Sequence, residues 1–208
     1  MRILFEDEYI LAAEEPQGMP SQADKTGDPD LLSELETYVG KPLGLLHRLD
    51  RPVGGVMVFA KTSKAASRLS KQVSEHSLKK TYYAVVCGKV KDKDTLVDYL
   101  YKDTKKNISY VVDKAKGKES ILDYKLICYK DSYSLVEINL KTGRSHQIRV
   151  QFSSRGFPLV GDAKYNKNHD GKTNVALFAK KLEFIHPVTC ENLSFELDIP
   201  KRYPFNLF

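Results

Sequence analysis

The hydrophobic residues of this chain recur with two periods, and these divide it into elements. RILF (residues 2–5) and YILAA (9–13) flank the acidic turn Glu6-Asp7-Glu8, which predicts an opening β-hairpin. EEPQGMPSQADKTG (14–27) is rich in Pro, Gly and polar residues and reads as a loop. In DPDLLSELETYVG (28–40), Leu31, Leu32, Leu35 and Val39 share one helical face. Asp28 suits the cap of that helix, Pro29 its first position and Gly40 its stop. GVMVFA (55–60) is an unbroken apolar run, hence a buried strand. Thr62 can cap SKAASRLSKQVSEH (63–76), where Ala65, Ala66, Leu69 and Val73 repeat at helical spacing. KTYYAVVCG (80–88) is β-branched and aromatic, a strand. Several strands separated by charged turns follow between Thr95 and Leu140. SHQIRVQFSSRG (145–156) reads as a helix with Ile148 and Phe152 on one face, and NVALFAKKLEFIH with LSFELDIP as a closing hairpin around PVTCEN. The sum is an α+β fold whose consecutive strands favour a mixed, largely antiparallel sheet with flanking helices.

Length and composition narrow the class. At 208 residues and 41% hydrophobic content the chain suits a single domain over residues 1–208, with no obvious linker or repeat. Lys and Arg outnumber Asp and Glu 33 to 27, a formal charge of +6. That excess fits a solvated surface and a polyanion partner about equally. Cys87, Cys128 and Cys190 are widely spaced and odd in number, which points to reduced thiols. The acidic Glu6, Asp7 and Glu8 interrupt any signal-peptide core, and no apolar run approaches a membrane span. A cytoplasmic protein with no membrane association is expected.

Three stretches could carry chemistry. In HRLD (47–50), followed by RPVGG, Asp50 stands at the mouth of an apolar strand. It is either a loop-end ion pair with Arg48 or Arg51, or an ionised nucleophile whose pKa a cation keeps low. In KTGRSHQIRVQ (141–151), Ser145 can cap a helix whose start gathers Arg144, His146 and Arg149. That is an anion site or a solvated charged face. Tyr82 and Tyr83 face opposite sides of their strand, so one belongs to the core. P-loop, dinucleotide GxGxxG, HExxH and GxSxG patterns are absent, and His47, His76, His146, His169 and His186 show no metal spacing. Asp162 is a possible second acid.

Taken together, HRLDRPVGGVMVFAKT, KKTYYAVVCG, LKTGRSHQIRVQFSSRGFPLVGDAKY and ALFAKKLEFIHP resemble the RluA-type pseudouridine synthases, in that family's order. The resemblance implies that fold, with a catalytic cleft, and an isomerase that converts uridine in ribosomal or transfer RNA to pseudouridine. Asp50 matches the essential aspartate, Tyr82 the active-site tyrosine and Arg144 the basic partner of the aspartate. Asp50 would either attack C1′ of the ribose or take the proton from C2′. RNA is the implied partner, no metal or organic cofactor is implied, and a monomer is favoured. A stacked uridine must be everted to react, at a cost of a few kcal/mol. Phosphate contacts from His47, Arg48, Arg51, His146 and Arg149 are expected to offset that cost.

Two departures stand out. EPQG places Glu15 where the family commonly has Lys, and Val53-Gly54 replace a usual Thr-Ser pair after the aspartate. An N-terminal S4-type RNA-binding domain, common in relatives, is not expected in residues 1–208. Two other readings compete. One is a non-catalytic RNA-binding module on the same scaffold. The other is a hydrolase of free nucleosides or sugar phosphates that uses Asp50.

Overall fold

The computed structural model describes residues Arg2–Phe208. These form eleven strands, three α-helices and a short 3-10 turn, an α+β fold built on a mostly antiparallel sheet. In chain order they are β1 (Arg2–Glu6), β2 (Ile10–Glu15), α1 (Leu31–Val39), β3 (Gly44–Leu45), β4 (Gly54–Ala60), α2 (Ser63–Ser74), β5 (Lys79–Cys87), β6 (Lys93–Asp103), β7 (Ile108–Val112), β8 (Lys118–Lys130), β9 (Tyr133–Leu140), α3 (Gln147–Ser153), β10 (Leu177–Ile185) and β11 (Asn192–Glu196). No helix among the described residues is long and apolar enough to cross a membrane. The chain forms two compact units, residues 1–80 with 179–198 and residues 81–178 with 199–208.

The first unit is ordered β1-β2-β4-β10, with β3 on β4 and β11 on β10. The opening and closing hairpins form as the alternation predicts. Every residue of β4 is buried, and β2 pairs along it from Ile10↔Ala60 to Glu15↔Gly55. Leu31 and Leu35 of α1 join Leu11, Ala13, Leu43, Met57 and Phe59 in one core, and Leu49 lies against it. Each of the Leu, Met and Phe side chains contributes about 1.5–3 kcal/mol when fully buried.

Helix α1 starts two residues later than predicted. Asp30 caps it, accepting from Ser33 N at 3.0 Å and Ser33 Oγ at 2.8 Å. Asp28 cannot serve because its carboxylate is bonded to Arg51. Gly40 ends α1 in the left-handed region (φ 73°), and Thr62 caps α2 through Ala65 N at 3.2 Å, both as expected.

The second unit is ordered β5-β9-β8-β6-β7, with β7 at the edge. β6 runs antiparallel to β8 from Lys93↔Lys125 to Leu100↔Lys118. Helix α3 is buried from Gln147 to Phe152. Its polar Gln151 is tolerated there because Nε2 donates to the carbonyls of Leu96 (3.3 Å) and Ser120 (3.1 Å) and to Asp98 (2.8 Å). Ser145 does not cap α3. His146 occupies the cap position in a left-handed conformation (φ 54°) that makes no side-chain cap bond, and the carbonyl of Ser145 accepts from Ser109 Oγ instead.

Gly55 limits what β4 can carry. Its φ is +138°, and a Cβ there would lie 2.6 Å from the Cβ and N of Ala179. Gly55→Ala is expected to cost about 3 kcal/mol or more, from strain plus overpacking. Urea unfolding of the variant beside the parent checks this.

Candidate active site

The loop that carries Asp50 is fixed by its neighbours in sequence and by the 16–28 loop. Leu49 is anchored in the core, and its N–H donates to Ser21 Oγ at 3.1 Å. The Asp50 carbonyl accepts from Val53 N at 2.7 Å, closing a turn. Gln17 Nε2 donates to the Pro52 carbonyl at 2.6 Å, and Gly18 N to the Arg51 carbonyl at 2.9 Å. The side chain of Asp50 is half-buried, so it remains accessible on a rigid loop. The Val53-Gly54 departure has a steric reason. Val53 is 2% exposed, and a Cβ at Gly54 would lie 2.9 Å from the backbone of Glu15 and Gln17.

The cations around this loop divide. Arg48 is exposed and makes no hydrogen bond or ion pair with another described residue. Arg51, expected to meet phosphate, is already committed. Its guanidinium bonds Asp28, the Gly18 carbonyl and Thr26 Oγ1, with Asp24 at 3.7 Å. It is a staple of the 16–28 loop. His47 lies on the same loop. Burial, with the charge of Lys80 adding to it, pulls its pKa down to about 3, so the ring is neutral. Its Nε2 accepts a long 3.5 Å bond from Val58 N.

The second unit holds the other predicted residues. Tyr82 is the core-facing tyrosine at 8% exposure, whereas Tyr83 is half-buried with its hydroxyl 3.2 Å from Glu137. Arg144 is exposed; its Nε donates to the Glu119 carbonyl at 3.1 Å, and it forms no ion pair with another described residue. The loop before α3 is held by Gln147, whose Oε1 accepts from Thr142 Oγ1 (2.9 Å) and Arg144 N (3.0 Å). His146 and Arg149, also expected to meet phosphate, are buried. His146 Nδ1 is 2.8 Å from the Tyr165 hydroxyl. Arg149 makes a two-pronged pair with Asp162, 2.7 Å on each arm. Asp162 also accepts from Lys164 N and Tyr165 N, so it is a structural acid and not a second reacting carboxyl. An open groove of about 390 Å³ lies beside β7, lined by Ser109, Tyr110, Val150, Ser153, Lys164 and Tyr165 among others.

Glu15 is the residue whose state the sequence does not disclose. It is 1% exposed, and neither carboxylate oxygen has a hydrogen-bond partner. Desolvation therefore pushes its pKa up to about 8, against a small opposing effect of Ser21. At neutral pH it is a protonated, neutral acid, not the reversed charge that replacing Lys by Glu suggests. Because the folded state holds this proton more tightly than the unfolded chain, the stabilising contribution of Glu15 is full below about 4.5. It falls as pH rises from there to about 8, and is level above. The span is at most about 5 kcal/mol. Glu15→Gln should flatten this dependence, so urea midpoints of variant and parent should diverge between pH 5 and pH 8. Parallel pH profiles would exclude the buried acid as their source.

The comparisons with known proteins agree with this architecture. The sequence profile described as RNA pseudouridylate synthase matches residues 9–154, a span that includes Asp50, Tyr82 and Arg144. The chain is 32% identical to tRNA pseudouridine synthase C of Vibrio parahaemolyticus, over 96% of its own length and 90% of the relative's. It is 30% identical to ribosomal large subunit pseudouridine synthase D of Zymomonas mobilis, over 97% and 70%. Human RNA pseudouridylate synthase domain containing 1 superposes with a TM-score of 0.80 at 21% identity, over 95% of this chain and 82% of that one, a likeness of fold. With the profile covering most of the chain and relatives aligned almost end to end, this chain belongs to the RNA pseudouridylate synthase family.

Proposed function

We propose that the chain isomerises specific uridines of transfer or ribosomal RNA to pseudouridine, with Asp50 as the essential carboxylate. The observation that carries this is the HRLD loop. An accessible aspartate is held between a core-anchored Leu49 and a tight turn, ahead of a wholly buried strand. Membership of the family and the names of both kinds of relative support the substrate class. The reaction breaks the bond from C1′ to N1 of uracil, turns the base and rejoins it through C5. An anion close to the sugar, at C1′ or at the C2′ proton, is what the chemistry needs, and Asp50 supplies it. Tyr82 would pack on the everted base, and Arg144 would orient Asp50 or bind the RNA backbone. Arg48, exposed and unpaired, is the best-placed of the HRLD cations for phosphate.

Tritium release from RNA carrying 5-tritiated uridine tests this directly. Asp50→Asn should abolish release while leaving RNA affinity within about threefold, as expected when a group acts mainly in the transition state. Substantial turnover by the variant would remove Asp50 from the chemistry, and RNA binding without release by the parent would favour the non-catalytic module. Arg144→Ala separates its two roles. Loss of a group that orients Asp50 lowers kcat. Loss of a phosphate contact raises KM alone.

A further inference from the structure

The hairpin of β6 and β7 shows a surface that the catalytic reading does not use. Tyr101 and Tyr110 are direct cross-strand partners, so their rings stand on the same face of the sheet. They are 52% and 40% exposed. Tyr99, two residues from Tyr101 on that face, has Lys114 Nζ 5.9 Å above its ring, and Val97 on the same face is 50% exposed. Six lysines against three carboxylates lie between Tyr99 and Glu119. All six lysines are exposed, and none forms an ion pair with another described residue. Lys105 and Lys106 sit in the turn after β6, Lys114 and Lys116 in the turn after β7.

An exposed cross-strand tyrosine pair helps a hairpin only slightly; an apolar Tyr-Val face flanked by unneutralised lysines has a further use. Aromatic rings present stacking area to any base, and lysines at both ends of the strands track a phosphate chain. A second copy of this chain fits poorly, because two such faces would bring like charges together.

We propose that the outer face of the β6–β7 hairpin is a platform for an unpaired stretch of the substrate RNA, with bases stacked on Tyr101 and Tyr110 and phosphates on the lysines of the two adjoining turns. This rests on the reading of the chain as an RNA-modifying enzyme and extends it to how RNA beyond the reacting nucleotide is held. It also offers binding strength to offset the extrusion of the uridine.

The probes are a labelled 15-nucleotide oligouridine, read by fluorescence anisotropy, and a 5-tritiated transfer RNA transcript, read by tritium release. Tyr101→Thr with Tyr110→Thr keeps β-propensity and so the hairpin. It should weaken oligouridine binding about tenfold and raise KM for the transcript with kcat within about twofold. Replacing Lys105, Lys106, Lys114 and Lys116 by Ala should lower the slope of log affinity against log salt by about 3, near 0.7 per lost phosphate contact on a single strand. Should the tyrosine variant melt early, the lysine variant reads the same surface. Unchanged affinity and salt slope in folded variants would overturn the proposal. So would failure of the parent to bind oligouridine, or a parent dimer that the tyrosine variant dissociates. Absence of tritium release by the parent would count against the catalytic reading alone, since the anisotropy measures the platform independently.

Discussion

A strand that is buried along its whole length must deliver a charged loop to solvent within a few residues, and most of the first unit follows from that demand. β4 is closed off by β2 on one side, and backbone approaches at Gly54 and Gly55 that no side chain could occupy bring the chain tightly against its neighbours. The six residues before it then have to turn outward. Leu49 gives its side chain to the core and its N–H to Ser21, with Arg48 exposed and Asp50 half-buried on either side of it. A carboxylate so placed keeps its solvation while its backbone is fixed, a combination that a longer loop would lose.

The basic character of the chain is distributed less simply than its total implies. Arg51 and Arg149 are spent on carboxylates, one stapling the 16–28 loop and the other filling the interior beneath Tyr165. A buried guanidinium matched in two places is held by geometry that phosphate could not displace without stranding Asp162. What remains for a polyanion is Arg48, Arg144 and the exposed lysines. Two arginines of the motif strings, Arg51 and Arg149, thus serve the scaffold, while Arg48, Arg144 and the lysines of the turns face solvent.

The sequence discloses elements well and environments poorly. Period-two and period-3.6 patterns locate both hairpins, β4, α2 and the strands after Thr95. The misplaced starts of α1 and α3 share one cause. Asp28 and Ser145 are good caps locally, but Arg51 claims the first from 23 residues away and a left-handed His146 displaces the second. HRLD is readable as a candidate because three ionisable groups stand at an apolar strand. The fate of Glu15 is not readable, since burial is a property of the assembled core and the Lys-to-Glu contrast suggests a charge that desolvation removes. The Arg149–Asp162 pair likewise joins residues 13 apart with nothing in their spacing to connect them.

The outer margin of β7 has a protective side. Ser109 sends its N–H to the Tyr165 hydroxyl and its own hydroxyl to the Ser145 carbonyl. A free strand margin ordinarily invites a foreign strand to dock and seed aggregation. Here a donor such a strand would seek is already taken from within the molecule, so a lysine-rich, tyrosine-faced hairpin can stand in solvent without recruiting its own kind.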